Sequence, residues 1–306
     1  MDFSSTKMKA IIAVIVIITL ISVAVVYNYY KHRDDEEDPF IPETVEDGDT
    51  VKVDYTGYLD EPDTTGKVFD TTNLTIFNDG SIEKVRNFPE VISSSTLVAG
   101  ESSPTEGFST GLIGLETNTT TWIEVQPEKG YGAYHHELLL QIPLREEIPV
   151  YQVMDKSDFL LDFGITEEFL VKQASAVHPF WGWNITVLDV RDDSVEFWNM
   201  PDEGAEVGNF PWKSTIDEVS TLTIYVQHHV NSDDVDTSVD PDAIRTYDRR
   251  SITDLSEKWT EFDLHGSLKN GVVTTVAGSI TVDFNLETAG RTLFYQVTVL
   301  EIISVS

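Results

Sequence analysis

The side chains able to carry chemistry in this chain are few in kind. Cysteine is absent, which excludes thiolate nucleophiles, thiolate metal sites and disulfides. Two histidine pairs, His135-His136 and His228-His229, invite a metal reading. Adjacent residues on a strand point to opposite faces, however, so neither pair converges on one ion. The segment NSDDVDTSVDPD, from Asn231 to Asp242, has the acidity of a calcium loop without its mid-loop glycine or closing glutamate, and reads as an acidic loop. No metal and no cofactor is expected. What remains is Phe69-Asp70 in KVFDTT, an aromatic and a carboxylate presented side by side. That is the beginning of a non-covalent site.

Several elements must position this pair. From Val51, VKVDYTGYL puts Val51, Val53 and Tyr55 on one face and Lys52, Asp54 and Thr56 on the other, the period of a half-buried strand. The polar turn DEPDTTG leads to KVFDTT, completing a hairpin-like unit. Ser103-Pro104-Thr105-Glu106 reads as a helix start, with serine as N-cap, proline at the first helical position and glutamate three residues after the serine. Phe108, Leu112 and Leu115 then share a helical face, while Gly111 and Gly114 weaken the helix, so that it is short and held by packing. A strand, TTTWIEV, and a proline-glycine turn, QPEKGYG, follow and end at Tyr131.

The segments GDTVKVDYTGYL, KVFDTT, EGFSTGLIGL and VQPEKGYG resemble, in order and spacing, the FKBP-type peptidyl-prolyl cis-trans isomerases. The family's closing strand is missing after Tyr131 and appears at the far end as GSITVDFNLETAGRTLFYQVTVLEI, Gly278 to Ile302, where Leu293, Tyr295, Val297 and Val299 alternate inward. The resemblance covers 47–133 and 279–303. The interval 134–278 is similar to the insert-in-flap arrangement of the SlyD-like branch, whose insert binds unfolded chains. It implies an α+β fold in which an antiparallel sheet wraps on a short helix and a large, mainly-β domain is inserted in the flap.

The resemblance also implies the chemistry. An X-Pro bond rotates in tens to hundreds of seconds unaided, over a barrier of about 18–20 kcal/mol set by amide resonance. Water stabilises the planar amide, so an apolar pocket that excludes water favours the twisted state, and fixed hydrogen bonds assist the rotation. By resemblance the pocket takes Tyr55, Phe69, Asp70, Phe108, Tyr131 and Tyr295. Phe108 forms the floor, Tyr131 offers its hydroxyl to a substrate carbonyl, and Asp70 orients its neighbours and polarises the pocket. Where family members carry a Val-Ile pair whose backbone binds substrate, this chain has Pro104 and Thr105; a pocket phenylalanine aligns with Ser95, with Leu97 and Val98 beside it. The rim is therefore more polar.

From Ala10 to Val26 the chain reads AIIAVIVIITLISVAVV without a charge, between Lys7 and Lys9 before it and Tyr27, Tyr29, Tyr30, Lys31 and Arg33 after it. With the tyrosines, the run 10–30 approaches the roughly 20 residues of a transmembrane helix, leaving 1–9 as a cytoplasmic N-terminus. Ser22-Val23-Ala24 also offers a signal-cleavage site. Either way the remainder is expected outside the cytoplasm, membrane-anchored in the first reading, with the acidic linker 31–46 as a spacer. Fifty-three acidic against twenty basic residues, a net charge of −33, exclude nucleic acid as a partner. The expected partners are unfolded or proline-containing polypeptides, bound by a monomer.

Within the insert, WNITVLDVRDDSVEFWNMPDEG at Trp183 to Gly204 repeats in VVTTVAGSITVDFNLETAG at Val272 to Gly290, each with an aromatic, an asparagine and a glycine five positions later. This predicts a duplicated strand-turn-strand unit, with a helical piece near Thr166 to Ser175 and a further strand in TLTIYVQHHV. Phe180, Trp181, Trp183, Phe197 and Trp198 form either the insert's core or an exposed surface on which Trp181, Trp183 and Trp198 bind unfolded chains. Three functions remain: an isomerase, a holdase or peptide-binding module with a weakened pocket, and a structural surface protein assembled through the repeats.

Overall fold

The computed structural model describes residues 20–25, 27, 44–86, 88–89, 94–101, 105–245, 247, 249–264 and 266–303. Pro104, most of the spacer, and residues 10–19, 26 and 28–30 of the expected membrane span lie outside the described residues.

The strands run in chain order as β1 (Thr50–Leu59), β2 (Val68–Thr71), β3 (Ser95–Val98), β4 (Thr120–Val125), β5 (Leu139–Pro143), β6 (Arg145–Pro149), β7 (Tyr151–Asp155) and β8 (Ser175–Val177). They continue as β9 (Asn184–Val190), β10 (Ser194–Met200), β11 (Ser214–Val219), β12 (Thr223–His228), β13 (Ser238–Val239), β14 (Gly271–Val276), β15 (Ser279–Asp283) and β16 (Leu293–Ile303). The helices are α1 (Leu74–Asn78), α2 (Glu106–Gly111), α3 (Lys156–Phe163) and α4 (Arg249–Glu261).

This corrects the expected α+β class with a transmembrane helix. The molecule is mostly β with few helices, and among the described residues no helix is long and apolar enough to cross a membrane. Strand content dominates because period-two alternation recurs through the insert as well as through the first domain. Buried Ile224, Val226 and His228 alternate along β12, for example.

The first sheet has the order β2-β1-β16-β4, with β3 pairing the start of β1 on the same edge that β2 pairs further along. The partnership of β1 and β16 joins residues more than 230 positions apart, in antiparallel register from Thr50–Ile303 to Leu59–Leu293. Helix α2 covers one face, and Val51, Val53, Tyr55, Phe108, Ile123, Val125, Tyr295 and Val297 form the core between them. The remaining strands build three more sheets, β7-β10-β9-β8, β11-β12-β6 and β13-β14-β15-β5, around a second, separate core. Strand β15 belongs to the last of these, so the expected return to the first domain at residue 279 moves to between Asp283 and Leu293.

The repeated segments form the same element twice. Hairpins β9-β10 and β14-β15 are the central pairs of their sheets, and each carries a register shift. Each also places its asparagine in the same role. Buried Asn199 accepts from Trp183 Nε1 and donates to the Pro149 carbonyl, while buried Asn285 accepts from His135 N and donates to the His135 carbonyl. Both ends of each amide are thereby hydrogen-bonded, Asn199 between two segments and Asn285 on the backbone of one residue, as burial requires.

The helical piece expected near Thr166 to Ser175 is displaced. Asp155 caps α3 by accepting from Ser157 N and Asp158 N, and Gly164, at φ 62°, ends it; the expected segment holds a 3-10 turn, Glu167–Phe169, and the first residue of β8. The two chain crossings between the domains run side by side. Gly290 N donates to Gly132 O at 2.8 Å, and Tyr134 Oη donates to Asp283 Oδ2 at 2.8 Å.

Candidate active site

Six expected pocket residues arrive from five different parts of the chain. Tyr55 comes from β1, Phe69 and Asp70 from β2, Phe108 from α2, Tyr131 from the turn after β4, and Tyr295 from β16. Phe108 and Tyr295 stack with ring centroids 4.3 Å apart, and Tyr55 lies 5.1 Å from Phe108 and 5.8 Å from Tyr295. Phe69 meets Tyr295 edge-on at 5.1 Å and Tyr131 edge-on at 6.1 Å. Such tilted and edge-to-face contacts suit the ring quadrupoles. The rings form one apolar cluster in which only Tyr131 among them remains partly exposed.

One polar pair is built into this wall. Tyr55 Oη donates to Asp70 Oδ2 at 2.7 Å, across the β1-β2 pairing. Burial raises the Asp70 carboxyl above the usual carboxylate range, against the opposing hydrogen bond from Tyr55. Burial, followed by the Asp70 charge, raises the Tyr55 phenol, and the same two causes push Tyr131 up to about 12. These phenols therefore stay protonated and act as hydrogen-bond donors. Tyr131 Oη is committed to no partner among the described residues, which leaves it available to a carbonyl.

The local sequence explains how the rings come so close. A Cβ on Gly57 of β1 would sit 2.4 Å from the Phe69 ring, so only glycine lets that ring lie across the strand. A Cβ on Gly111 would sit 2.4 Å from Ile123 of β4, so this glycine sets the close approach of α2 to the sheet. The cost in helix propensity is the condition of the packing. Neither glycine is singled out by spacing alone; its role appears only when the strand or helix opposite is in place.

Thr105 is where the helix begins. Its side chain is buried and accepts from Phe108 N at 3.4 Å, making it the N-cap in place of the expected Ser103. A threonine where the resemblance implies an apolar residue thus has a polar partner inside the molecule. Ser95 and Leu97 sit in β3, opposite Val53 and Val51, and Leu97 joins the same core.

The insert tryptophans separate. Trp181 and Trp183 are only 4% and 5% exposed, stacked 5.1 Å apart inside the second core, and so are corrected from client-binding surface to core. Trp198 is 50% exposed and stands on the outer face of its sheet. Of the second histidine pair, His228 is buried in β12 and its neighbour His229 is exposed.

Residues 41–148, about a third of the chain, match the family model described as FKBP-type peptidyl-prolyl cis-trans isomerase. A short-type peptidyl-prolyl cis-trans isomerase of Methanocaldococcus jannaschii is 32% identical over 99 residues, which is 32% of this chain and 58% of that relative's length. Over residues 41–148 this chain is similar to the FKBP-type peptidyl-prolyl cis-trans isomerases.

Proposed function

We propose that the chain is a peptidyl-prolyl cis-trans isomerase whose pocket rotates X-Pro bonds without covalent chemistry. The observation that carries this reading is the convergence of four further aromatic rings on the Tyr55–Asp70 pair, from segments as far apart as β2 and β16. An X-Pro amide entering the rings exchanges solvating water for an apolar wall, which disfavours its polar planar form. The Tyr131 hydroxyl donates to the substrate carbonyl, and Asp70 fixes the orientation of Tyr55 and polarises the wall. A protease-coupled assay on a proline peptide tests it. Acceleration over the thermal rate, reduced in Asp70→Ala, is expected; a rate equal to the uncatalysed one removes the enzyme reading.

A second activity, capture of unfolded chains by the insert, is favoured by the outer face of β7 and β10. Trp198 lies directly opposite Tyr151, and both share their face with Val153 and Met200, all substantially exposed. Contiguous exposed apolar groups of this kind mark interaction surfaces. Suppression of aggregation of a denatured protein, weakened by Trp198→Ala, is the expected result.

A further inference from the structure

Phe69 and Asp70 are adjacent in β2, yet both serve the same pocket, although successive residues of a regular strand face opposite sides. The pairing with β1 explains this. Gly57 lies opposite Asp70 and Tyr58 lies opposite Val68, so Phe69 is the extra residue of a β-bulge, a device that re-aims a side chain. The bulge sits in a four-residue strand at the end of the order β2-β1-β16-β4. On its outer side β2 meets only residues 83–85, through Val68 N donating to Glu83 O and Val85 N donating to Val68 O, both at 2.9 Å.

One carboxylate grips both β2 and this companion segment. Lys67, the residue before β2, pairs through Nζ with Glu83 at 3.1 Å and with Glu287. Glu287 Oε2 also accepts from Arg86 N at 3.0 Å and lies 3.5 Å from Arg86 Nε. The Glu287 side chain is only 14% exposed. Burial acts to raise its carboxyl, but the bonds from Lys67 and Arg86 N outweigh that and hold it below the ordinary range, so it is ionised at neutral pH. Charge-assisted bonds in such a shielded place fix geometry better than a surface ion pair.

Glu287 itself is held from the side of the insert. Asn285, two residues earlier, bonds to both His135 N and the His135 carbonyl, and Leu286 packs against the second core. We propose that Glu287 is a positioning residue for the isomerase: through Lys67, the return crossing of the insert holds the bulge that aims Phe69 and Asp70 into the pocket. The proposal rests on the isomerase reading and adds to it a residue that touches no substrate, from outside the segment 41–148.

The test uses the full chain, with kcat/KM on a short proline peptide measured across pH and urea unfolding measured alongside. Glu287→Gln and Lys67→Met are each expected to lower kcat/KM about fivefold at pH 7, the scale of a small misplacement of pocket groups. Both should also move the acid limb of the profile to lower pH. The Asp70 carboxyl, faced by Tyr55, Tyr131 and Tyr295, is raised by burial, and a loosened bulge admits water to it. The double variant should lose no more than either single one. Lys67→Arg, which keeps the pair, should restore the native limb. Arg86→Met leaves the backbone donor and the Lys67 arm in place and should stay within about twofold of the native rate.

Should Glu287→Gln fail to fold, Lys67→Met, which leaves the Arg86 arm intact, carries the same test. An active native chain whose rate and acid limb survive these substitutions overturns this proposal alone. So does an equal loss in Arg86→Met, since the cluster would then only stabilise the junction. A native chain no faster than the uncatalysed reaction overturns both this proposal and the isomerase reading.

Discussion

Tyr55 donates its hydroxyl proton to Asp70 Oδ2 across 2.7 Å, and the two residues reach one another only because β1 and β2 are neighbours in the sheet. The carboxyl is held above its ordinary range by burial, so its ionised form is lost at a higher pH than for a solvated aspartate. Isomerase activity is therefore expected to fall as pH drops through that raised value, and Asp70→Asn should flatten this limb of the profile. Asp70→Ala is expected to lower kcat/KM about tenfold, or ~1.4 kcal/mol of transition-state stabilisation. Tyr55→Phe combined with Asp70→Asn should lose less than the sum of the single changes.

Phe108 is fully buried between Tyr55 and Tyr295, and Trp198 is half exposed. Phe108→Ala should cost about 3–5 kcal/mol of stability through the cavity it leaves. Trp198→Ala should change stability by less than about 1 kcal/mol. Urea unfolding of both variants, read in parallel, measures the contrast.

Gly57→Ala places a methyl where the Phe69 ring lies. The ring must move or the strand must shift, at a cost of roughly 1–3 kcal/mol. Because the same ring walls the pocket, turnover on a proline peptide should drop together with the denaturation midpoint, a pairing that a purely local effect on folding would not produce at saturating native protein.

His178 gives a pH signature to the insert. Its folded-state value, about 4, lies below the ordinary 6.5 of an unfolded histidine, so between these values the unfolded chain binds the extra proton. Stability contributed by the neutral ring is present above 6.5 and is lost as pH falls from 6.5 toward 4, by roughly 3 kcal/mol at the low end. Comparing native protein with His178→Asn by urea unfolding at a series of pH values isolates this part from the many carboxylates. An identical pH slope for the two would count against it.

Much of the pocket was legible because it is encoded locally. Alternation in VKVDYTGYL places Tyr55 inward, the pair Phe69-Asp70 follows one turn later, and each motif can be read from a handful of neighbours. The helix α4 was equally readable in principle, since Ile252, Leu255 and Trp259 recur at helical spacing and all are buried, yet its strongly polar remainder hides it among loops. The local rule points to Ser103, which lies outside the described residues, as the cap of α2, whereas the hydroxyl that accepts from Phe108 N is that of Thr105.

By itself the sequence determined the strands and turns around the Phe69-Asp70 pair, because periodicity and turn residues act over a few positions. Only the tertiary structure decided which tryptophans face inward, where the insert ends, and that Glu146 lies buried. The reason is that burial and strand pairing depend on partners distant in the chain. A Trp181 that stacks on Trp183 within the insert core and a Trp198 that faces water carry the same local signal, and only the sheet each one meets assigns it a side.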